Sequence, residues 1–251
     1  MLNSIKMDLY RVLHTKSFYI SIVLLLLAFI WMINGEGLVS NTAYASFHRT
    51  QDTLYDFLYY FPKSMFFQMA ILIFLALFCN EEYNSGFMKN IYPIQSKCGI
   101  LIERWILSIV MILLFTLICI VVVGIEIAIT QPAVNDFSFS SYIIYILMNT
   151  FVFSAVCAFV IMIIHLTRNK VVGILVAVGF SFSIIFMLNT AIAMLLPEEL
   201  PYVEYTLYYM IGNLAKTPDV STYGKAAAVA ISSGILYNII SYLILKKKDL
   251  A

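Results

Sequence analysis

The chain has 251 residues, 62% hydrophobic and only 12% charged, with a mean hydropathy of +0.93. A water-soluble domain carries about 25% charge and under about half apolar residues, so lipid is the solvent that fits this composition. A net charge of +1 excludes the basic stripe that nucleic-acid binding demands. The four cysteines (Cys79, Cys98, Cys119, Cys157) lack metal-ligand spacing and read as small hydrophobes, not as a disulfide framework or a zinc site.

In residues 1–16, Leu2, Ile5, Leu9, Val12 and Leu13 recur at helical spacing, with Lys6, Arg11 and Lys16 at other positions. The pattern predicts either an amphipathic helix on the inner membrane surface or a plain basic flank to a first span. Six segments free of Asp, Glu, Lys and Arg then meet or approach the roughly 20 residues that a spanning helix needs. They are 17–35, 64–80, 105–125, 137–167, 171–197 and 226–245. The first is long and lacks a small-x-small cleavage site, so it is expected to stay as an anchor. The second is short, and Lys63 is expected to snorkel at its outer edge.

Lys and Arg alternate in density along the connecting segments. Lys6, Arg11, Lys16, Lys89, Lys97, Arg104, Arg168, Lys170, Lys246, Lys247 and Lys248 fall on one side, and only Arg49, Lys63, Lys216 and Lys225 on the other. That bias puts both termini in the cytosol of a multi-pass cell-membrane protein. The expected fold is all-α, one polytopic domain over residues 1–251 with six transmembrane helices.

Glu126 is the one acid inside an apolar run, about 31 Å along its helix if counted from Trp105. It is expected either to reach headgroup water at the outer boundary or to line a cavity. Small residues four apart, Gly173, Ala177 and Ser181 and then Ala226, Ala230 and Gly234, predict internal packing faces. The outer segment 197–225 holds Tyr202, Tyr205, Tyr208, Tyr209, Met210 and Ile211, too apolar for a free loop, while Glu204, Gly212 and Asn213 make it a poor span. A re-entrant helix before span six satisfies both constraints. With Phe57, Tyr59, Tyr60 and Phe61 it would form an aromatic lid, with Glu126, Tyr205, Tyr208 and Tyr209 as pathway or lid residues.

Catalytic signatures are lacking. Around Lys225 the first Gly of a phosphate-binding loop and the Ser or Thr after Lys are missing. His14, His48 and His165 fall at different depths, so no metal or catalytic cluster is expected. The pair Glu81-Glu82 is similar to that of intramembrane CAAX-type proteases, but Gly86 stands where those enzymes need Arg.

The loop between the second and third segments is the most informative. Its apolar Phe87, Met88, Ile91 and Tyr92 sit between Gly86, a natural helix stop, and Pro93, with Ser96 placed to cap the next helix. Such a turn is either a docking surface for a cytosolic protein or an amphipathic loop lying on lipid. The order Glu82, Gly86, Pro93, Ser96, Lys97, together with the opening Lys6 to Arg11 and Lys16-Ser17-Phe18, resembles the type-2 ABC exporter permeases. The resemblance extends over the whole chain as a pattern of six spans, except for the long first outer loop, 36–63.

That resemblance implies an elbow helix carrying Leu9, Arg11 and Lys16, and a cytosolic coupling helix with Glu82, Gly86, Phe87, Met88, Lys89, Ile91 and Pro93. It implies that the chain is not itself an enzyme. A separate ATP-binding cassette subunit would hold ATP and Mg, and a second permease chain, identical or a sibling, would complete the pathway. The expected activity is ATP-driven export of a hydrophobic or amphipathic substrate, an antimicrobial peptide or a drug. The alternative is a non-transporting membrane anchor or sensor that recruits a cytosolic ATPase. A secondary transporter is disfavoured, because helix pairs broken by Gly or Pro and midspan charges are not evident.

Overall fold

The computed structural model describes residues 2–34, 58–84, 96–130, 138–193, 202–214 and 218–247. These are helical almost throughout, with no strand among them. In chain order they form α1 (Leu2–His14), α2 (Lys16–Asn34), α3 (Met65–Asn84), α4 (Lys97–Thr130) and α5 (Phe139–Thr167). Next come α6 (Lys170–Ser181), α7 (Ile184–Ala193), α8 (Leu207–Asn213) and α9 (Val220–Lys247). Single 3-10 turns cover Phe61–Lys63 and Tyr202–Tyr205.

Four helical segments, Met65–Tyr83, Lys97–Ile125, Phe139–Thr167 and Val220–Lys247, are long and apolar enough to cross a membrane. A fifth joins them if Lys6–His14 and Lys16–Ala28, bent by 65° at their junction, count as one broken span. Thr15 makes that bend: its N–H and its hydroxyl both bond the Val12 carbonyl, and its own carbonyl accepts from the Phe18 N–H. The chain is thus a bundle of apolar helices suited to a membrane.

The fifth apolar run of the sequence is not one helix. It divides into α6 and α7, of 12 and 10 residues, each below the roughly 17 that span a bilayer. The cause is local. The Ser181 hydroxyl bonds back to the Ala177 carbonyl at 2.8 Å, and Ser183 takes a left-handed backbone, φ 63. Hydroxyl back-bonding bends helices, and serine and glycine close together favour a kink. The expectation concerns helices broken by Gly or Pro and does not reach this break, which serines make.

Among the described residues, a single core joins α1 to α6, α8 and α9. α9 lies along α5, and α6 along α3. Small residues let α6 pack closely against α3 and α5, and α9 against α4 and α5. A Cβ built on Gly173 would lie 3.0 Å from Ile164 Cγ1 and 3.4 Å from Ala76 Cβ, and one on Gly234 3.2 Å from Trp105 Cζ2. Ala177, Ser181, Ala226 and Ala230 are buried alongside, so both small-residue faces are internal. The outward faces of α4, α5 and α9 carry exposed Leu117, Val121, Leu147, Ile235 and Leu236, as lipid-facing surfaces do.

Candidate functional site

The expected coupling residues Gly86, Phe87, Met88, Lys89, Ile91 and Pro93 lie outside the described residues. The two helix ends that carry the loop are described, and both are anchored. Ser96 caps α4: its hydroxyl accepts from the Gly99 N–H at 3.1 Å. Lys97 then reaches the Leu245 carbonyl at 2.9 Å, a cation at the C-terminal end of α9 where the helix dipole favours one.

At the other end, the last turn of α3 enters a buried ion cluster. Arg104 of α4 donates to Glu82 Oε1 at 2.6 Å and to Asp8 Oδ2 at 2.5 Å. Arg11 donates to the same Glu82 oxygen at 2.9 Å and lies 3.4 Å from Asp8 Oδ1. Side-chain exposure is 2% for Arg104, 1% for Asp8, zero for Glu82 and 22% for Arg11. Both guanidiniums also sit over the Phe78 ring, at 5.2 and 5.6 Å from its centroid. Glu103, equally buried, bears electrostatically on Asp8. Three carboxyls therefore meet two guanidiniums where α1, α3 and α4 join.

The residue after Glu82 faces the other way. The Tyr83 hydroxyl is hydrogen-bonded to His165 Nδ1, and the two rings are perpendicular at 5.8 Å. Arg168 covers the Tyr83 ring at 5.6 Å, and its left-handed backbone, φ 51, ends α5 with an N–H bond to the Ile164 carbonyl. The end of α3 is thus held by α1 and α4 through Glu82 and by α5 through Tyr83, two residues before the loop begins.

Of the expected elbow residues, Leu9 packs against the core, Arg11 joins the cluster and Lys16 is exposed at the start of α2. Asp8, Tyr83, Arg104, His165 and Arg168 were not anticipated as functional. The signal for Asp8 was its place on the apolar face of α1, with Ile5, Leu9 and Val12. For Arg104 it was the Ser96 cap, which starts the helix at Lys97 and puts Arg104 about 10 Å along it.

The expected outer site is assembled in part. The Lys63 ammonium donates to the carbonyls of Leu214 (2.7 Å) and Gly212 (3.2 Å) at the end of α8. Tyr145 donates to the Tyr59 carbonyl at 2.6 Å; of the expected lid residues, Tyr59 and Phe61 are buried, Tyr60 is exposed and Phe57 lies outside the described residues. The Tyr208 hydroxyl is hydrogen-bonded to that of Ser183, and its ring meets Phe180 at 5.7 Å, so α8 closes over the break between α6 and α7. Tyr205 and Tyr209 line a cavity of about 260 Å³ beside the start of α9. There Asp219 accepts from the Ser221 hydroxyl and from the N–H and hydroxyl of Thr222, which hold its carboxyl below the usual carboxylate range. Glu126 lies on α4, four residues before its end, with its side chain outside the described set. Among the described residues no cluster of His, Cys, Asp and Glu has metal-binding geometry.

No protein-family model and no curated protein matches the chain.

Proposed function

We propose that the chain is the membrane subunit of an ABC exporter, with α1 as elbow helix, the 85–95 loop as coupling element and both termini cytosolic. Six spans are then α2, α3, α4, α5, the broken pair α6–α7, and α9. ATP and Mg belong to a separate cassette subunit, and a second permease chain shares the pathway.

The observation that carries this reading is the ion cluster of Asp8, Arg11, Glu82 and Arg104. A loop that docks a motor protein must pass force into the bundle without fraying. Glu82 stands three residues before the loop's first position, 85, and Arg104 stands on the helix that follows it, so the cluster clamps both helices to α1. Cassette closure would then rock α1, α3 and α4 together, with differential ATP affinity as the driving force. For cargo, the buried polar groups midway along the described α4 and α5 are Ser108, Thr116, Asn149, Thr150 and Ser154, all uncharged. That lining suits a hydrophobic or amphipathic molecule, such as a membrane-active peptide or a drug.

Copurification is the test. The double variant Phe87→Asp, Ile91→Asp should insert normally and lose its ATPase partner. Retention of an ATPase at the parental level, or its absence from the parent itself, would exclude the reading. Loss of the chain should also sensitise cells to membrane-active peptides or drugs.

A further inference from the structure

The cavity of about 260 Å³ between α8 and the start of α9 is smaller than the roughly 300 Å³ at which drug-sized pockets begin. Its lining is chemically mixed. Glu204 supplies a carboxylate, Lys225 an ammonium, Tyr205 and Tyr209 aromatic surface, and Ser221 and Thr222 hydroxyl groups. Among the described residues, no ion pair within 4 Å engages either Glu204 or Lys225. The hydroxyl hydrogens of Ser221 and Thr222 are given to Asp219, so their oxygens remain to accept.

Depth narrows the ligand. α9 has 28 residues and is about 42 Å long, which matches a bilayer of about 40–45 Å with its headgroup layers. Ser221, Thr222 and Lys225 occupy its first turn and a half and hence the headgroup layer, where tyrosines also concentrate. This holds whichever face of the membrane that end meets.

We infer that this cavity is a binding site for a zwitterionic phospholipid headgroup carrying a primary ammonium, as in phosphatidylethanolamine. The ammonium, with three donors, is received by Glu204 and by the oxygens of Ser221 and Thr222, against the Tyr205 and Tyr209 rings. The phosphate is received by Lys225. A trimethylated headgroup has no donor for these oxygens, and a glycerol headgroup has no charge for Glu204, so both are disfavoured.

The test uses the full chain in dodecyl maltoside, titrated with dioleoyl phosphatidylethanolamine, phosphatidylcholine or phosphatidylglycerol, with bound lipid counted by native mass spectrometry. The ethanolamine lipid should bind about tenfold more tightly than either other lipid, the difference expected for one charged hydrogen bond. Glu204→Gln should abolish that preference, and Lys225→Gln should weaken all three lipids about tenfold. Both positions are exposed, and unchanged elution on gel filtration checks the fold. Millimolar glycerophosphoethanolamine should compete, which separates headgroup recognition from adhesion of acyl chains. Equal binding of the three lipids, a preference for phosphatidylcholine, or no competition overturns the inference. So does a cationic amphipathic peptide whose binding alone depends on Glu204, because the cavity then belongs to the exported cargo. No ATPase takes part, so the result stands apart from the export reading.

Discussion

Arg104 Nη2 lies 2.6 Å from Glu82 Oε1, and neither side chain is more than 2% exposed. Removing one member of such a pair leaves an uncompensated buried charge, whereas replacing the whole set with apolar residues of similar size is often nearly neutral. Arg104→Met is therefore expected to cost about 3–5 kcal/mol. Combined with Asp8→Leu, Glu82→Leu and Glu103→Leu, the same change should recover most of that loss, since Arg11 retains access to water. Unfolding by SDS in mixed micelles measures both. A single variant as stable as the parent would show that the cluster does not hold α1, α3 and α4 together.

Two glycines on α6 provide an internal control for helix packing. A Cβ at Gly173 meets Ile164 and Ala76 within 3.4 Å, while one at Gly179 meets nothing within 4 Å. Gly173→Val should destabilise by about 1–3 kcal/mol through overpacking. Gly179→Ala should be neutral or stabilising by up to about 1 kcal/mol, from helix propensity alone. Equal shifts in thermal midpoint would exclude the close approach of α6 to α3 and α5.

Orientation is open to a direct measurement. The eleven-to-four division of Lys and Arg expects a reporter fused after Ala251 and an epitope inserted near Thr217 to lie on opposite sides of the membrane. Protease protection in sealed vesicles of known polarity reads both. Finding the two on one side would remove the six-span arrangement, and with it the coupling role assigned to the 85–95 loop.

Apolar length and small-residue spacing are local properties, so the helices and their inward faces could be read from the chain. Gly173, Ala177 and Ser181 needed only a period of four to be placed. Partnership across the chain has no such period. Asp8 meets Arg104 because the Thr15 bend folds α1 back against α4, and no spacing rule connects positions 96 residues apart. Charge-free windows also misled, since beginning a span at Trp105 left Glu103 and Arg104 looking like a loop when they lie two turns inside α4. The fifth run failed for another reason. Its hydropathy is continuous through Ser181 and Ser183, and the hydroxyl bond that bends it is invisible to an average.

The contact between Ser183 and Tyr208 makes the sharpest prediction, because two opposing effects meet at one residue. Ser183 holds φ 63, a left-handed backbone that costs an L-residue about 1–2 kcal/mol and glycine almost nothing. Its hydroxyl also bonds Tyr208 across the break between α6 and α7, an interaction worth about 0.5–1.5 kcal/mol. Ser183→Gly removes the strain with the bond and should be close to neutral. Tyr208→Phe keeps the strain, loses the bond and should destabilise by about 1 kcal/mol. Ser183→Ala likewise loses the bond without relieving the backbone, so it should fall with Tyr208→Phe and below Ser183→Gly. Thermal midpoints in detergent give the order, and reactivity of a cysteine introduced at exposed Met187 reports whether α7 has loosened. Greater tolerance for alanine than for glycine at position 183 would show that the chain crosses this break without the left-handed turn.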